Sequence, residues 1–183
     1  GSSVPAVNLR LAHDLASGKL AGATEALRED LNECFLVHGT KPEYVAQILE
    51  HGLNERFSQG LFGNGVYLAD DTTKSDQYST ADTGWGELKA VLDPVDTQGV
   101  YYLLVCRTLL GWPAETLNGR CRISGGELWE PRASGRELAF VPGVPFLRFT
   151  SQVVQVGTRL QRFPEYLLTH AERVYPEFLI AYD

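Results

Sequence analysis

Residues 99–110 restrict the fold more than any other part of the chain. After Gly99 they read Val-Tyr-Tyr-Leu-Leu-Val-Cys-Arg-Thr-Leu-Leu, nearly all apolar or β-branched. A continuous apolar segment of this kind predicts a central strand that is covered on both faces. Helical patterns come before it and strand patterns follow it, so we expect an α+β fold with a split, mainly antiparallel sheet flanked by helices.

The composition indicates one globular domain. The chain has 183 residues, of which 44% are hydrophobic, and this is enough for a real core. Its net charge of −7 argues against nonspecific nucleic-acid binding, which depends on neutralising phosphates. No apolar segment approaches the ~18–20 residues of a membrane helix, and no signal peptide is visible, so we expect no membrane partner.

The three cysteines bear on whether the protein is in a reducing or an oxidising compartment. Cys34, Cys106 and Cys121 are widely spaced and form no Cys-x-x-Cys pair. This spacing predicts neither a zinc site nor a disulfide framework. We expect Cys34 and Cys106 to be small buried side chains. An intracellular setting, cytoplasmic or nuclear, is the corresponding expectation.

The first part of the chain predicts helix, strand and helix. We assign residues 1–32 to an N-terminal helical segment, with helix over 6–32, of the domain whose main part is 33–183. Residues 34–38 are a short apolar strand. The sequence Thr-Lys-Pro-Glu at 40–43 is a capping box with proline near the first helical position, and Gly52 ends that helix. Val45, Ile48 and Leu49 give its buried face.

A second strand and helix follow. Residues 61–65 form a glycine-rich turn that leads into a strand at 66–69. Asp71 or Thr72 caps a short helix over 73–80. Ser75 and Tyr78 are three residues apart in this helix and therefore lie on one face.

The last seventy residues predict loops and then a hairpin. Residues 111–150 are rich in Gly, Pro, Arg and Trp and have little periodicity, so loops with short strands are expected. Residues 163–170 and 175–182 are near-copies, Phe-Pro-Glu-Tyr-Leu-Leu-Thr-His and Tyr-Pro-Glu-Phe-Leu-Ile-Ala-Tyr. Two such strands with a four-residue connection predict an antiparallel hairpin.

Three motifs in order carry a family resemblance. They are Phe-Leu-Val-His-Gly-Thr at 35–40, Phe-Gly-Asn-Gly-Val-Tyr-Leu-Ala-Asp at 62–70, and Lys-Ser-Asp-Gln-Tyr at 74–78. Alone, the first is usually a strand-to-helix turn, and the second could be a hairpin with an Asn-Gly turn. Together they resemble the nicotinamide-binding half of the poly(ADP-ribose) polymerase (PARP) catalytic domain. Asn-Glu-Arg-Phe at 54–57 and the final segment are most similar to tankyrases and related short members.

The resemblance implies the His-Tyr-Glu ADP-ribosyltransferase fold over residues 33–183, with NAD+ as the substrate. Loss of nicotinamide passes through an oxocarbenium-like state, as in glycoside cleavage, so a carboxylate near the sugar is required. Two tyrosines can stack on the nicotinamide ring, and a glycine backbone and a hydroxyl can bind its carboxamide. The implied catalytic residues are His38, Tyr67 and a glutamate. The implied NAD+-binding residues are His38, Gly39, Thr40, Tyr67, Lys74, Ser75 and Tyr78.

The glutamate has two candidates, Glu165 and Glu177, because both lie in nearly identical segments. In the family pattern the catalytic glutamate lies on the penultimate strand, just after a variable acceptor-binding loop. Residues 153–162 suit that loop, so the resemblance favours Glu165. Its role would be to bind the 2′-hydroxyl of the nicotinamide ribose and to stabilise the oxocarbenium charge.

Two departures from the family concern metal and DNA. Tankyrases carry a Cys/His zinc cluster after the Ser-Tyr helix, whereas residues 79–99 contain neither Cys nor His, so we expect no metal. The helical regulatory domain of DNA-activated members cannot fit into residues 1–37. We therefore expect NAD+ binding with no direct DNA requirement.

The leading interpretation is transfer of ADP-ribose from NAD+ to protein acceptors. Elongation to poly(ADP-ribose) and automodification are compatible with the same residues. One alternative is mono-ADP-ribosylation or NAD+ hydrolysis only. Another is a noncatalytic module that binds NAD+ or ADP-ribose. The presence of the His, Tyr and Glu together argues against the last.

Overall fold

The computed structural model describes residues 26–84, 88, 97–133 and 137–183. Most of the helix predicted at 6–32 lies outside these residues. The structure describes only the last residues of this segment, 26–32, and they depart from the predicted helix. Glu29–Leu31 form a single 3-10 turn, which stops at Asn32 because that residue is in the left-handed region.

The described residues contain two α-helices and nine strands. Short 3-10 turns also occur at Glu55–Phe57 and Ala171–Arg173. The strands are β1 Glu33–Gly39, β2 Gln59–Gly60, β3 Gly63–Asn64, β4 Val66–Leu68, β5 Tyr101–Leu109, β6 Pro113–Thr116, β7 Ser151–Val154, β8 Glu165–Leu168 and β9 Val174–Tyr182, and the helices are α1 Pro42–His51 and α2 Thr72–Asp76.

The strands form a split sheet, as expected. One large sheet has the order β1-β5-β9 and is antiparallel throughout; the other large sheet has the order β4-β8-β7-β6, with only β6 and β7 parallel. The short strands β2 and β3 pair with each other in a separate antiparallel ribbon. The two sheets meet where Val37 and Ala69 exchange backbone hydrogen bonds of 2.8 and 3.0 Å. The chain therefore has an α+β fold, and β5 is the central strand of its sheet, as its apolar sequence predicts.

The core lies where both sheets contribute side chains to one apolar cluster. Leu36 and Leu104 come from the first sheet, and Val153 and Leu168 come from the second; all four are fully buried. Burying a side chain of this size contributes about 1.5–3 kcal/mol. Cys34 and Cys106 belong to the same cluster, as predicted, and Cys121 is exposed.

The start of α1 differs from the predicted capping box. The N-cap is Lys41, with no side-chain capping hydrogen bond, and Pro42 is the first helical residue. A cap at Thr40 would need Lys41 in the helical region, which the ring of the following proline disfavours. Lys41 is accordingly extended, with φ −80° and ψ 151°. The predicted end is confirmed, because Gly52 has φ 80° and its N–H donates to the carbonyl of Ile48.

Helix α2 begins as predicted and is shorter than predicted. The carboxylate of Asp71 accepts a hydrogen bond from the N–H of Thr73. The helix ends at Asp76, so Tyr78 lies in the turn that follows. None of the described helices is long and apolar enough to cross a lipid bilayer.

The hairpin predicted for residues 163–182 is wrong. Strand β8 pairs with β4 on one side and β7 on the other, whereas β9 pairs with β5 in the other sheet. A strand has two hydrogen-bonding edges, and both edges of β8 are occupied. The connection at 169–173 therefore carries the chain from one sheet to the other.

Candidate active site

A cavity of about 1020 Å³ opens between the ends of the two sheets and the two helices. Strand β1, helix α1, strand β4, helix α2 and strand β8 all contribute to its lining. Every site residue implied by the family resemblance lies on this wall: His38, Gly39, Thr40, Tyr67, Lys74, Ser75, Tyr78 and Glu165.

His38 is the next-to-last residue of β1, and the neighbouring sheet fixes the orientation of its ring. Its Nδ1 lies 2.8 Å from the carbonyl oxygen of Tyr67. Since a carbonyl only accepts, Nδ1 carries the hydrogen. Burial lowers the pKa of His38, and the hydrogen bond to Tyr67 opposes this only in part. The ring is therefore neutral near pH 7, and Nε2 is an acceptor for a hydroxyl group.

Gly39 is required by the packing of α2 as well as by ligand access. A Cβ at this position would lie 1.8 Å from the backbone oxygen of Ser75. The Ser75 hydroxyl is buried and donates a 2.9 Å hydrogen bond to the carbonyl of Val37. These contacts hold α2 against the end of β1, so Gly39 and Ser75 form one corner of the cavity.

Tyr67 is fixed on β4 by its hydroxyl. The hydroxyl donates to the carbonyl of Gly63 at 2.8 Å and accepts from the N–H of Phe62 at 3.0 Å. A Cβ on Gly60 would lie 2.3 Å from the ring, so the glycine-rich turn closes tightly around it. Burial raises the pKa of Tyr67 to about 12, and the phenol is neutral at physiological pH.

Glu165 is the first residue of β8 and forms an ion pair with Lys74 of α2. The Nζ–Oε1 distance is 2.7 Å, and the two side chains are 15% and 9% exposed. Nζ also lies 3.3 Å from the hydroxyl of Tyr78 and 5.2 Å from the centre of its ring. Burial lowers the pKa of Lys74, but its hydrogen bonds to Glu165 and Tyr78 raise it more, so the lysine is charged. The carboxylate is therefore held in place before any ligand binds.

Glu177 has a different environment. Its carboxylate accepts hydrogen bonds from Nε and Nη2 of Arg107 on β5, at 2.7 and 3.4 Å. Arg107 also binds Glu33 of β1 at 3.2 Å, so this triad ties the three-stranded sheet together. Glu177 is not among the residues that line the cavity. The structure thus separates two glutamates that the local sequence leaves equivalent.

The cavity also has an apolar wall, which none of the sequence motifs indicates. Ile48 packs against the core, as its place on that helix face predicts, and it also lines the cavity. Leu49, which was predicted on the same buried face, is 43% exposed. The spacing of Tyr44 and Ile48 on one helix face was a signal that could have been used. Further apolar residues of this wall include Leu53, Phe57, Leu61, Phe62 and Leu160.

No site for a metal ion is evident among the residues that the structure describes. No group of three or more His, Cys, Asp or Glu side chains is arranged to hold an ion there. Most of residues 85–96 lie outside the described part, so independence from metal stays a prediction.

The split antiparallel sheet, with a His-Tyr-Glu set on one cavity, is the arrangement implied for NAD+-dependent ADP-ribosyltransferases. The chain matches the family model of the poly(ADP-ribose) polymerase catalytic domain over residues 13–183, and it belongs to that family. Domains of this family use NAD+ as their substrate.

Among curated proteins, the chain is similar to the poly [ADP-ribose] polymerase tankyrase of Caenorhabditis elegans. The two are 28% identical in an alignment of 182 positions that covers 86% of this chain and 7% of the relative. The chain therefore spans less than a tenth of the length of that protein.

Proposed function

We propose that the chain cleaves the nicotinamide–ribose bond of NAD+ and transfers ADP-ribose to protein acceptors, itself among them. The observation that carries this proposal is the position of Glu165, ion-paired with Lys74 on the same cavity as His38 and Tyr67. A carboxylate held beside the sugar is the group that this reaction requires.

The cavity suits a dinucleotide in size and chemistry. Its volume, about 1020 Å³, is at the upper end of the range for ligand sites. The nicotinamide ring fits between Tyr67 and Tyr78, with the carboxamide against the backbone of Gly39. The hydrogen of Ser75 is directed to Val37, so its oxygen lone pairs can accept from the carboxamide NH2. Nε2 of His38 accepts from a ribose hydroxyl.

Glu165 would act on the ribose. Its Oε1 is engaged by Lys74, and Oε2 is left for the 2′-hydroxyl. As the C–N bond breaks, its electrons leave with neutral nicotinamide, and positive charge grows on the sugar opposite the carboxylate. The acceptor nucleophile then forms the new bond to the ribose carbon and gives up its proton, for which Glu165 is the nearest base.

The presence of Glu165 is compatible with elongation, because the next acceptor can be a ribose hydroxyl that the carboxylate polarises. We propose that the protein also extends the first ADP-ribose into poly(ADP-ribose). Transfer of a single ADP-ribose, or transfer to water, would use the same cavity and the same glutamate.

Incubation with NAD+ labelled on its adenylate phosphate tests the proposal. Label on protein is expected, with ladders if chains are elongated. Free ADP-ribose alone would indicate a hydrolase, and intact NAD+ would indicate a noncatalytic module. Glu165→Gln should lower the rate of labelling about 10²–10³-fold, whereas Glu177→Gln, a matched change in a nearly identical segment, should retain it.

A further inference from the structure

The loop between β7 and β8, residues 155–164, contributes Leu160 to the cavity lining and leads directly to Glu165. Leu160 of this loop lines the cavity together with Glu165, and the N–H of Gly157 binds the carbonyl of Leu160 at 2.7 Å. Arg162 precedes Glu165 by three residues, so their Cα atoms lie within about 11 Å. A macromolecule that presents a nucleophile near Glu165 would therefore lie close to this loop.

This loop is locally positive on an acidic molecule. Arg159 and Arg162 are exposed, and residues 155–164 contain no acid, although the whole chain has a net charge of −7. Arg159 forms no ion pair with a described residue, and the guanidinium of Arg162 lies 4.8 Å from the ring of Phe163. Both cations are thus available to a partner.

A neighbouring turn adds a third arginine. A Cβ on Gly157 would lie 2.9 Å from the side chain of Leu117, so the turn at 117–120 packs against the loop. The same turn contacts the cavity wall, because Gly119 lies against Phe62. Arg120 is exposed on this turn. We call Arg120, Arg159 and Arg162 the arginine rim.

We propose that the arginine rim recruits the protein acceptor by binding acidic residues that flank the modified side chain. This inference rests on the proposed function. Guanidinium groups bind carboxylates in a bidentate manner. The three arginines of the rim are spread over two loops, and this spacing suits an extended polypeptide. A site for a single phosphate would use a helix N-terminus or a cluster of backbone N–H groups, and neither loop begins a helix. Because the arginine rim is exposed, it affects the rate at which the acceptor associates, and therefore KM, more than it affects kcat.

The experiment compares two synthetic peptides with the same central block of Glu, Ser, Arg and Cys separated by glycines. One is flanked by cysteic acid, whose sulfonate is charged and a poor nucleophile, and the other by glutamine. Two exposed ion pairs predict a kcat/KM ratio of roughly 2- to 30-fold in favour of the acidic peptide. Salt at about 1 M should remove the preference, because it shortens the screening length to about 3 Å.

The variant is the double substitution Arg159→Glu with Arg162→Glu, and the control is Arg132→Glu. Arg132 is also exposed, and it is not among the cavity-lining residues. The double variant should lose or reverse the preference through KM, and the control should keep it. Nicotinamide release without peptide should be the same in all three proteins.

Equal use of both peptides by the unmodified protein would overturn the proposal, as would a preference that survives the double substitution. An oligonucleotide of equal charge that competes for the rim better than the acidic peptide would show a phosphate-bearing partner and would also overturn it. If no protein released nicotinamide, the proposed function would fail. Fluorescence anisotropy of the same labelled peptides would still decide whether the rim binds acids.

Discussion

Nζ of Lys74 lies 2.7 Å from Oε1 of Glu165, and this contact joins the two halves of the site. Lys74 belongs to α2, which Ser75 fixes to β1 of the three-stranded sheet. Glu165 begins β8 of the four-stranded sheet. The ion pair therefore sets the carboxylate relative to His38 and Gly39, the residues at the end of β1.

Substitution of Glu165 by Gln should lower the rate of nicotinamide release about 10²–10³-fold, because one preorganised charge opposite the oxocarbenium ion is lost. NAD+ affinity should change far less, since an amide still binds a hydroxyl. The measurement is single-turnover nicotinamide release, with NAD+ binding followed by calorimetry.

Glu177→Gln is the matched control, and its effect should be on stability. It weakens the contact with Arg107, so we expect a loss of about 1 kcal/mol and a Tm lower by about 2–4 °C. Turnover should remain close to that of the unmodified protein. The assignment of the two glutamates would have to be exchanged if Glu177→Gln were inactive and Glu165→Gln active.

Lys74→Met should lower kcat by up to about 10²-fold, because a misplacement of the carboxylate by an ångström has an effect of this size. It also leaves a mostly buried carboxylate without its partner, which should lower the Tm. Lys74→Arg retains the charge and should recover part of kcat. An equal kcat in the unmodified protein and in the Lys74→Met variant would show that Lys74 does not position Glu165.

The burial of His38 gives a stability effect with a defined sign. Its folded pKa is below the ordinary 6.5, so between these values the unfolded chain binds a proton that the folded chain does not. The free energy of unfolding should therefore fall as pH falls below about 6.5, by at most ~1.4 kcal/mol per pH unit from this group. Well above that pH neither state binds the proton, and the group contributes no slope.

Denaturant unfolding of the unmodified protein and of His38→Gln from pH 5 to 8 measures this effect. The stability difference between them should be constant above about pH 7 and should shift in favour of the variant at lower pH. Parallel curves across the whole range would contradict the lowered pKa of His38 in the folded state.

A nicotinamide mimic with its carboxamide locked in the cis form should compete with NAD+. Tyr78→Ala removes a stacked ring worth ~0.5–1.5 kcal/mol, and Ser75→Ala removes a hydrogen bond worth about 1 kcal/mol. The double variant should therefore bind the mimic roughly 10- to 70-fold more weakly by calorimetry. Unchanged affinity would show that the nicotinamide lies elsewhere in the cavity.

Activity should not depend on a divalent metal or on DNA. Residues 79–99 contain no Cys or His, so the zinc ligands of tankyrases have no counterpart there. Nicotinamide release should be equal before and after dialysis against a chelator, and nicked DNA should not raise it. Loss of activity in the chelator, restored by zinc, would contradict this.

Much of the site could be predicted because its residues lie in short local motifs. The strand that carries His38 near its end, the Asp71 cap of α2 and the left-handed Gly52 follow from neighbouring residues, and all three agree with the structure. The capping box at Thr40 failed for an equally local reason, since Pro42 restricts the residue before it. The catalytic roles of His38, Tyr67 and Glu165 stay predictions until the variants are measured.

The sequence by itself determined the α+β class, the central position of β5 and the residue types needed for NAD+ chemistry, because these depend on hydrophobic patterning and on motifs within a few residues. The tertiary structure decided which glutamate faces the cavity. Residues 163–170 and 175–182 have almost the same local preferences, so only the hydrogen-bonding edges offered by distant strands distinguish them. Strand β8 lies between β4 and β7, which places Glu165 beside Lys74, whereas β9 lies along β5, which places Glu177 on Arg107.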